Sequence, residues 1–199
     1  MPGPEAAAEN IQIFKTSEEV SQRIGEMAVE VVGTYAEENP FFVSLMRGAL
    51  PFTTDLMRAI RREARQQKVN FHPEVDLMTI STYGKGREAQ EPHIVMDLAP
   101  KAHVSDRTVV LLGDVLDWGH TLEFADRHLR SREPKDVHSI VLVEKENDRT
   151  TYHRGADIVG FRSPAGLWLI GMGMDDANQA VEAGRWDDDI SIVIPPADQ

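Results

Sequence analysis

The stretch Val109-Val110-Leu111-Leu112-Gly113-Asp114-Val115-Leu116-Asp117-Trp118-Gly119-His120-Thr121-Leu122 decides the fold. Four consecutive aliphatic residues with no polar residue among them mark a short strand buried on both faces. Two aspartates and a glycine follow, and from Leu122 to Arg130 the apolar residues return at helical spacing. A strand that runs through an Asp/Gly turn into a helix is a unit of an open α/β sheet, where ligands bind at the carboxyl ends of strands. The first turn of such a helix offers unsatisfied amides to a phosphate. Gly119 allows close backbone approach, and the Thr121 hydroxyl can donate to a phosphate oxygen. An ordinary strand-to-helix turn capped by Asp117 or Thr121 has the same local pattern, so the neighbouring elements must decide.

Upstream, Thr16-Ser17-Glu18-Glu19 has capping-box spacing, and Ile24, Met27, Ala28, Val31, Val32 and Tyr35 recur with helical period. A helix is predicted from about Ser17 to Glu37. Phe41 to Met46 is a nearly continuous apolar run, read as a second doubly buried strand, and Arg47-Gly48-Ala49-Leu50-Pro51 turns the chain into a helix ending near Gln66. Val75 to Tyr83 reads as a strand, with Asp76 its awkward member. Gly84 to Asp106 is polar, lacks a sustained period and reads as one long loop, usually a functional or mobile element. Val137 to Val143, Ile158 to Phe161 and Trp168 to Met172 complete the strands. Strands alternating with helices imply an α/β, Rossmann-like parallel sheet with helices on both faces. No repeat or linker divides residues 1–199, so a single domain is expected.

Composition bounds the chemistry. The chain has 199 residues, no cysteine and a formal charge of -12. Disulfides, thiolate metal sites and cysteine nucleophiles are therefore excluded, consistent with a cytoplasmic setting. The acidic balance argues against nucleic-acid binding, but an anionic small substrate can still be held by backbone amides, a few basic side chains and a metal ion. No apolar run reaches membrane-spanning length. Met1 to Asn10 reads as a frayed leader, and the seven histidines show no ligand-like pairing. Asp187-Asp188-Asp189 reads as a solvated turn.

Gly113 to Thr121 resembles the phosphoribosyl pyrophosphate motif of type I phosphoribosyltransferases: two acids, two apolar residues, Asp-Thr-Gly, a variable residue, then Thr. The order of elements from Phe41 to Met174 resembles the hypoxanthine-guanine branch. Leu45-Met46-Arg47-Gly48 is similar to its pyrophosphate loop, Ser81-Thr82-Tyr83 to its Ser-Tyr pair, and Val143-Glu144-Lys145 to its purine-binding lysine segment. Val159-Gly160-Phe161 and Trp168 to Asp175 are similar to its hood, so residues 161–199 are expected to contribute to a small hood.

The resemblance implies a magnesium-dependent transfer of the phosphoribosyl group to a 6-oxopurine. Asp114, Asp117, Trp118, Gly119, His120 and Thr121 would bind the phosphoribosyl group, with Asp117 as base. Arg47, Gly48, Thr82 and Tyr83 would contact pyrophosphate; Lys145, Trp168, Leu169 and Asp175 the purine; Asp114 and Asp175 the magnesium ion or its waters. It also implies a homo-oligomer, a dimer or tetramer.

Three departures mark this chain. Gly113 replaces the first acid, and Trp118 replaces the hydroxyl residue of Asp-Thr-Gly. A hydrogen bond lost to a charged phosphate is worth roughly 1.5–3 kcal/mol, about ten- to a hundredfold in affinity. The arginine that the branch carries shortly after its hood aspartate has Val181 at the nearest offset. A non-catalytic nucleotide-binding or regulatory protein on the same fold is therefore the rival expectation.

Overall fold

A computed structural model describes residues 10–83, 89–148, 150–174 and 184–194. Its main sheet has six strands in the order β4-β3-β2-β5-β6-β7. They are β2 (Phe41–Met46), β3 (Glu74–Tyr83), β4 (Ala89–Met96), β5 (Thr108–Leu116), β6 (Asp136–Glu146) and β7 (Ile158–Pro164). All neighbours run parallel except β4, which pairs antiparallel to β3 at one edge.

The apolar runs explain the layering. Alternate residues of one strand enter opposite cores. Phe42, Val110, Leu112, Ile140 and Leu142 pack on the face covered by α1 (Ser17–Tyr35) and α2 (Leu50–Gln66). Phe41, Val43, Val109, Leu111 and Val141 pack on the face covered by Leu122, Ala125 and Leu129 of α3 (His120–Arg130). The expected sheet with helices on both faces is therefore present. The capping box also forms: Thr16 Oγ1 accepts from the Glu19 amide at 3.3 Å and Glu19 Oε2 accepts from the Thr16 amide at 2.9 Å. Asp76 earns its place in β3, because its two oxygens accept the Leu77 and Ala99 amides and close the connection towards β5.

Three expectations need correction. The 84–106 segment is not one loop, since Ala89–Met96 returns as β4. Its Glu91, Pro92 and His93 hide the strand in the sequence, and such residues are tolerated on an edge. Asn10 is not the end of a frayed leader but joins a strand of the hood, to which residues 161–199 also contribute. The hood is a three-stranded sheet in the order β1-β9-β8, comprising β1 (Asn10–Lys15), β9 (Ile190–Ile194) and β8 (Trp168–Ile170). Asn10 pairs with Ile194. Finally, the acidic run is not merely a solvated turn: Asp189 Oδ1 accepts the Ser17 amide at 2.5 Å, at the start of α1. A carboxylate there meets an unsatisfied amide and the positive end of the helix dipole.

Candidate active site

Gly119 is the N-cap of α3 and stands in the left-handed region at φ 81°. It makes no side-chain cap hydrogen bond, and neither Asp117 nor Thr121 occupies the cap position. A Cβ at Gly119 would lie 2.7 Å from the Tyr152 Cβ and 2.8 Å from its backbone nitrogen. The loop is closely braced by the segment after β6. The Trp118 carbonyl accepts the Thr151 amide at 2.7 Å, the Thr151 hydroxyl at 3.0 Å and the Thr150 hydroxyl at 3.4 Å. His120 Nδ1 lies 3.2 Å from Thr151 Oγ1. The Trp118 indole remains 46% exposed, so its bulk is directed outward rather than packed into the core. Thr121 occupies the first turn of α3.

Asp117 does not cap the helix; it joins the loop to the end of β6 and the residue after it. Its Oδ2 accepts from Lys145 Nζ at 2.7 Å and its Oδ1 from Asn147 Nδ2 at 3.1 Å. Lys145, near the end of β6, is almost fully buried in its side chain, and its ammonium sits 5.9 Å from the Trp168 ring centroid. That distance permits a cation–π attraction. Trp168 is 38% exposed, whereas its neighbour Leu169 is buried in the core shared with α1 and α2. The pattern "aromatic in an apolar run" therefore resolves into one open aromatic and one core aliphatic. β8 is the outer strand of its sheet.

A second group forms where β5, the turn after β2 and the hood meet. Gly48 lies against Asp114: a Cβ there would fall 1.8 Å from Asp114 Oδ2. Gly173, at φ 96°, lies against Gly48, and its Cβ would fall 1.8 Å from the Gly48 carbonyl oxygen. Arg185 is only 6% exposed and donates from Nη1 to the Gly173 carbonyl at 2.6 Å. Burial pushes the Asp114 carboxyl above its ordinary range, opposed by the Val115 amide, its own amide and the Arg185 charge. Burial and the neighbouring charge of Arg47 lower the Arg185 guanidinium, while Asp114 acts in the opposite sense. Arg47, itself exposed, lies close enough to act on Arg185, and the Arg185 charge acts in turn on the half-buried Asp114 carboxylate.

Arg185 is the residue that counting along the sequence missed. Val181 was the nearest offset, and it lies outside the described residues; the basic side chain at this place comes from four positions further on. Arg185 stands in Gly184-Arg185-Trp186 immediately before the acidic run, and no spacing from the motifs read in the sequence pointed to it. Asn147 was also missed, because an asparagine after a strand reads as a turn residue. Asp175 and the side chains of Thr82 and Tyr83 lie outside the described residues.

Gly113 differs from a simple truncation. A Cβ there would meet Val141 Cγ1 at 3.3 Å and Leu122 Cδ1 at 3.9 Å, in the apolar layer beneath α3. The missing acid is matched by hydrocarbon on that side of β5, and Asp114 alone carries the carboxylate there.

A family model described as the phosphoribosyl transferase domain matches residues 11–176. The chain is 31% identical over 173 residues to a hypoxanthine-guanine phosphoribosyltransferase of Aquifex aeolicus, covering 86% of this chain and 90% of that protein. It is also 31% identical over 179 residues to the "Bifunctional protein TilS/HprT" of Listeria innocua, covering 89% of this chain and 26% of the relative. The chain therefore spans about a quarter of the length of that relative. A solved hypoxanthine phosphoribosyltransferase from Staphylococcus aureus shares the fold at 23% identity, with TM-score 0.77 over 92% of this chain and 91% of that one. From the glycine-capped loop to the hood, the chain belongs to the phosphoribosyl transferase family, in its hypoxanthine-guanine branch.

Proposed function

We propose that this protein transfers the 5-phosphoribosyl group of phosphoribosyl pyrophosphate to hypoxanthine or guanine, releasing pyrophosphate, as a purine-salvage enzyme. The observation that carries the reading is the Asp117–Lys145 pair, which links the loop before α3 to an ammonium beside the Trp168 ring.

The α3 amides, with Gly119, His120 and Thr121, receive the 5′-phosphate, and Asp114 the ribose hydroxyls. The base lies against Trp168, its oxo oxygen accepts from Lys145, and its edge meets backbone groups of Leu169. As the bond from C1 to the pyrophosphate oxygen breaks and the purine nitrogen bonds to C1, the proton on that nitrogen passes to Asp117. The departing charge faces Arg47, Gly48 and Arg185, with Thr82 and Tyr83 assigned to the same group by resemblance. Fixed charges and donors of this kind, acting away from bulk water, favour an oxocarbenium-like transition state.

Magnesium fits the donor set in a limited way. Among the described residues no group of three carboxylates or histidines forms a metal cage. A magnesium ion is held by one or two carboxylates together with substrate oxygens and water, and Asp114 is a hard oxygen donor of that type. Asp175 is the second candidate. When bound, the ion would neutralise pyrophosphate charge. A cytoplasmic homo-oligomer, a dimer or tetramer, is part of the same proposal. Among the described residues no helix is long and apolar enough to cross a membrane.

The direct test is nucleotide and pyrophosphate formation from phosphoribosyl pyrophosphate and magnesium with hypoxanthine, guanine, xanthine and adenine. Turnover with the 6-oxopurines is expected. Nucleotide binding without turnover on any base would instead establish the non-catalytic reading, which Gly113 and Trp118 favour. Lys145→Ala should reduce kcat/KM for hypoxanthine by about ten- to a hundredfold, the loss expected for a charge-assisted hydrogen bond. Any activity with adenine, which has no oxo group, should fall less. Equal losses for both bases would remove Lys145 as the discriminating donor.

A further inference from the structure

Asp117 has two carboxylate oxygens, each with its own donor. Lys145 takes Oδ2 and Asn147 takes Oδ1. The two donors are separated by one residue at the end of β6, and alternate residues of extended chain point the same way. Glu146, between them, is exposed. Lys145 has two tasks in the reaction proposed above, holding Asp117 and donating to the base. An ammonium drawn to the oxo group holds the carboxylate less firmly. Asn147 has no task at the base in that reaction.

We propose that Asn147 is a positioning residue for Asp117: its side-chain amide anchors Oδ1 so that Oδ2 keeps facing the purine when Lys145 turns to the base. The inference rests on Asp117 being the proton acceptor. A neutral amide suits the task, because it orients the carboxylate without offering it a competing charge. The support beneath Asn147 is itself ordered. The Thr150 amide donates to the Asn147 carbonyl at 3.3 Å, closing a turn, and the next hydrogen bonds of that segment run to the Trp118 carbonyl. One short segment therefore grips Asp117 by its side chain and Trp118 by its backbone.

The plain rival is that asparagine is present only because it begins a turn well. Asn147→Asp separates the two roles, since aspartate begins turns equally well but presents a carboxylate where a donor is required. Asn147→Asp and Asn147→Ala should lower kcat by about ten- to a hundredfold, the loss expected for a hydrogen bond to a charged group. KM for phosphoribosyl pyrophosphate should stay nearly constant, and Asn147→Ser should recover part of the loss. A second readout needs no turnover. Three-bond couplings by NMR report the Asp117 χ1 rotamer, which should stay single in Lys145→Ala and become averaged in Lys145→Ala/Asn147→Ala. Full kcat in Asn147→Asp, or a single Asp117 rotamer in the double variant, would overturn the positioning role. A wild-type protein without turnover would instead defeat the transferase reading, and the rotamer measurement would still judge Asn147.

Discussion

Asp117→Asn is expected to lower kcat by about a hundred- to ten-thousandfold, the usual contribution of a positioned general base. Affinity for purine nucleoside monophosphates should change little. The substitution keeps the shape of the side chain and removes its ability to take a proton. One amide oxygen can still accept from Lys145, while the new amide nitrogen faces the Asn147 amide, donor against donor. A modest loss of thermal stability should accompany the kinetic effect. Steady-state kinetics beside calorimetric nucleotide binding separates the two, and unchanged turnover would remove Asp117 as the base.

The second large effect is on stability. Gly173→Ala should cost about 2–4 kcal/mol, combining left-handed backbone with forced overpacking. Its new Cβ would fall 1.8 Å from the Gly48 carbonyl oxygen and 2.8 Å from Pro51 Cδ, and the nearer obstacle is backbone. Relief would require Gly48 or the hood to move, and either shift disturbs the Asp114 and Arg185 surroundings. Pyrophosphate affinity should therefore fall with stability. Gly166→Ala is the control: Gly166 also has positive φ, 78°, but nothing lies within 4 Å of its Cβ position. Urea denaturation of both variants tests the argument. Equal destabilisation would mean that the close approach to Gly48 contributes nothing.

The residues of the central sheet could be recognised in sequence because their burial is local and two-sided. Phe41 to Met46 and Val109 to Leu112 announce themselves without any knowledge of partners, and Asp117, Lys145 and Trp168 were singled out by their resemblance to the family's motifs. The structure brings those three together. β1 could not be recognised this way. Ile11 and Ile13 are 55% and 61% exposed, and the strand exists through pairing with β9, about 180 residues away. β4 was hidden by edge-strand composition. Arg185 was not singled out because its burial and its bond to the Gly173 carbonyl come from the folded hood and not from a count along the chain. Gly113 replaces an acid in the motif, and the structure shows that a side chain there would point at Val141 and Leu122. Side-chain contacts between distant segments leave no period in the sequence.

The β1–β9 pairing also governs the order in which this protein can assemble. The central sheet is made mostly from neighbouring segments, and β8 pairs with the nearby β9, whereas the β1–β9 ladder that completes the hood must close the longest loop in the chain. Loop-closure entropy makes such distant pairings late and slow. The hood is therefore expected to be the last unit to fold and the first to open, carrying Trp168 away while the α3 phosphate cradle persists. Native-state hydrogen exchange should find the amides of β1, β8 and β9 opening at lower free energy than those of β2, β5 and β6. In that partly open form, the phosphate recognition proposed for α3 should outlive the purine recognition proposed for Trp168.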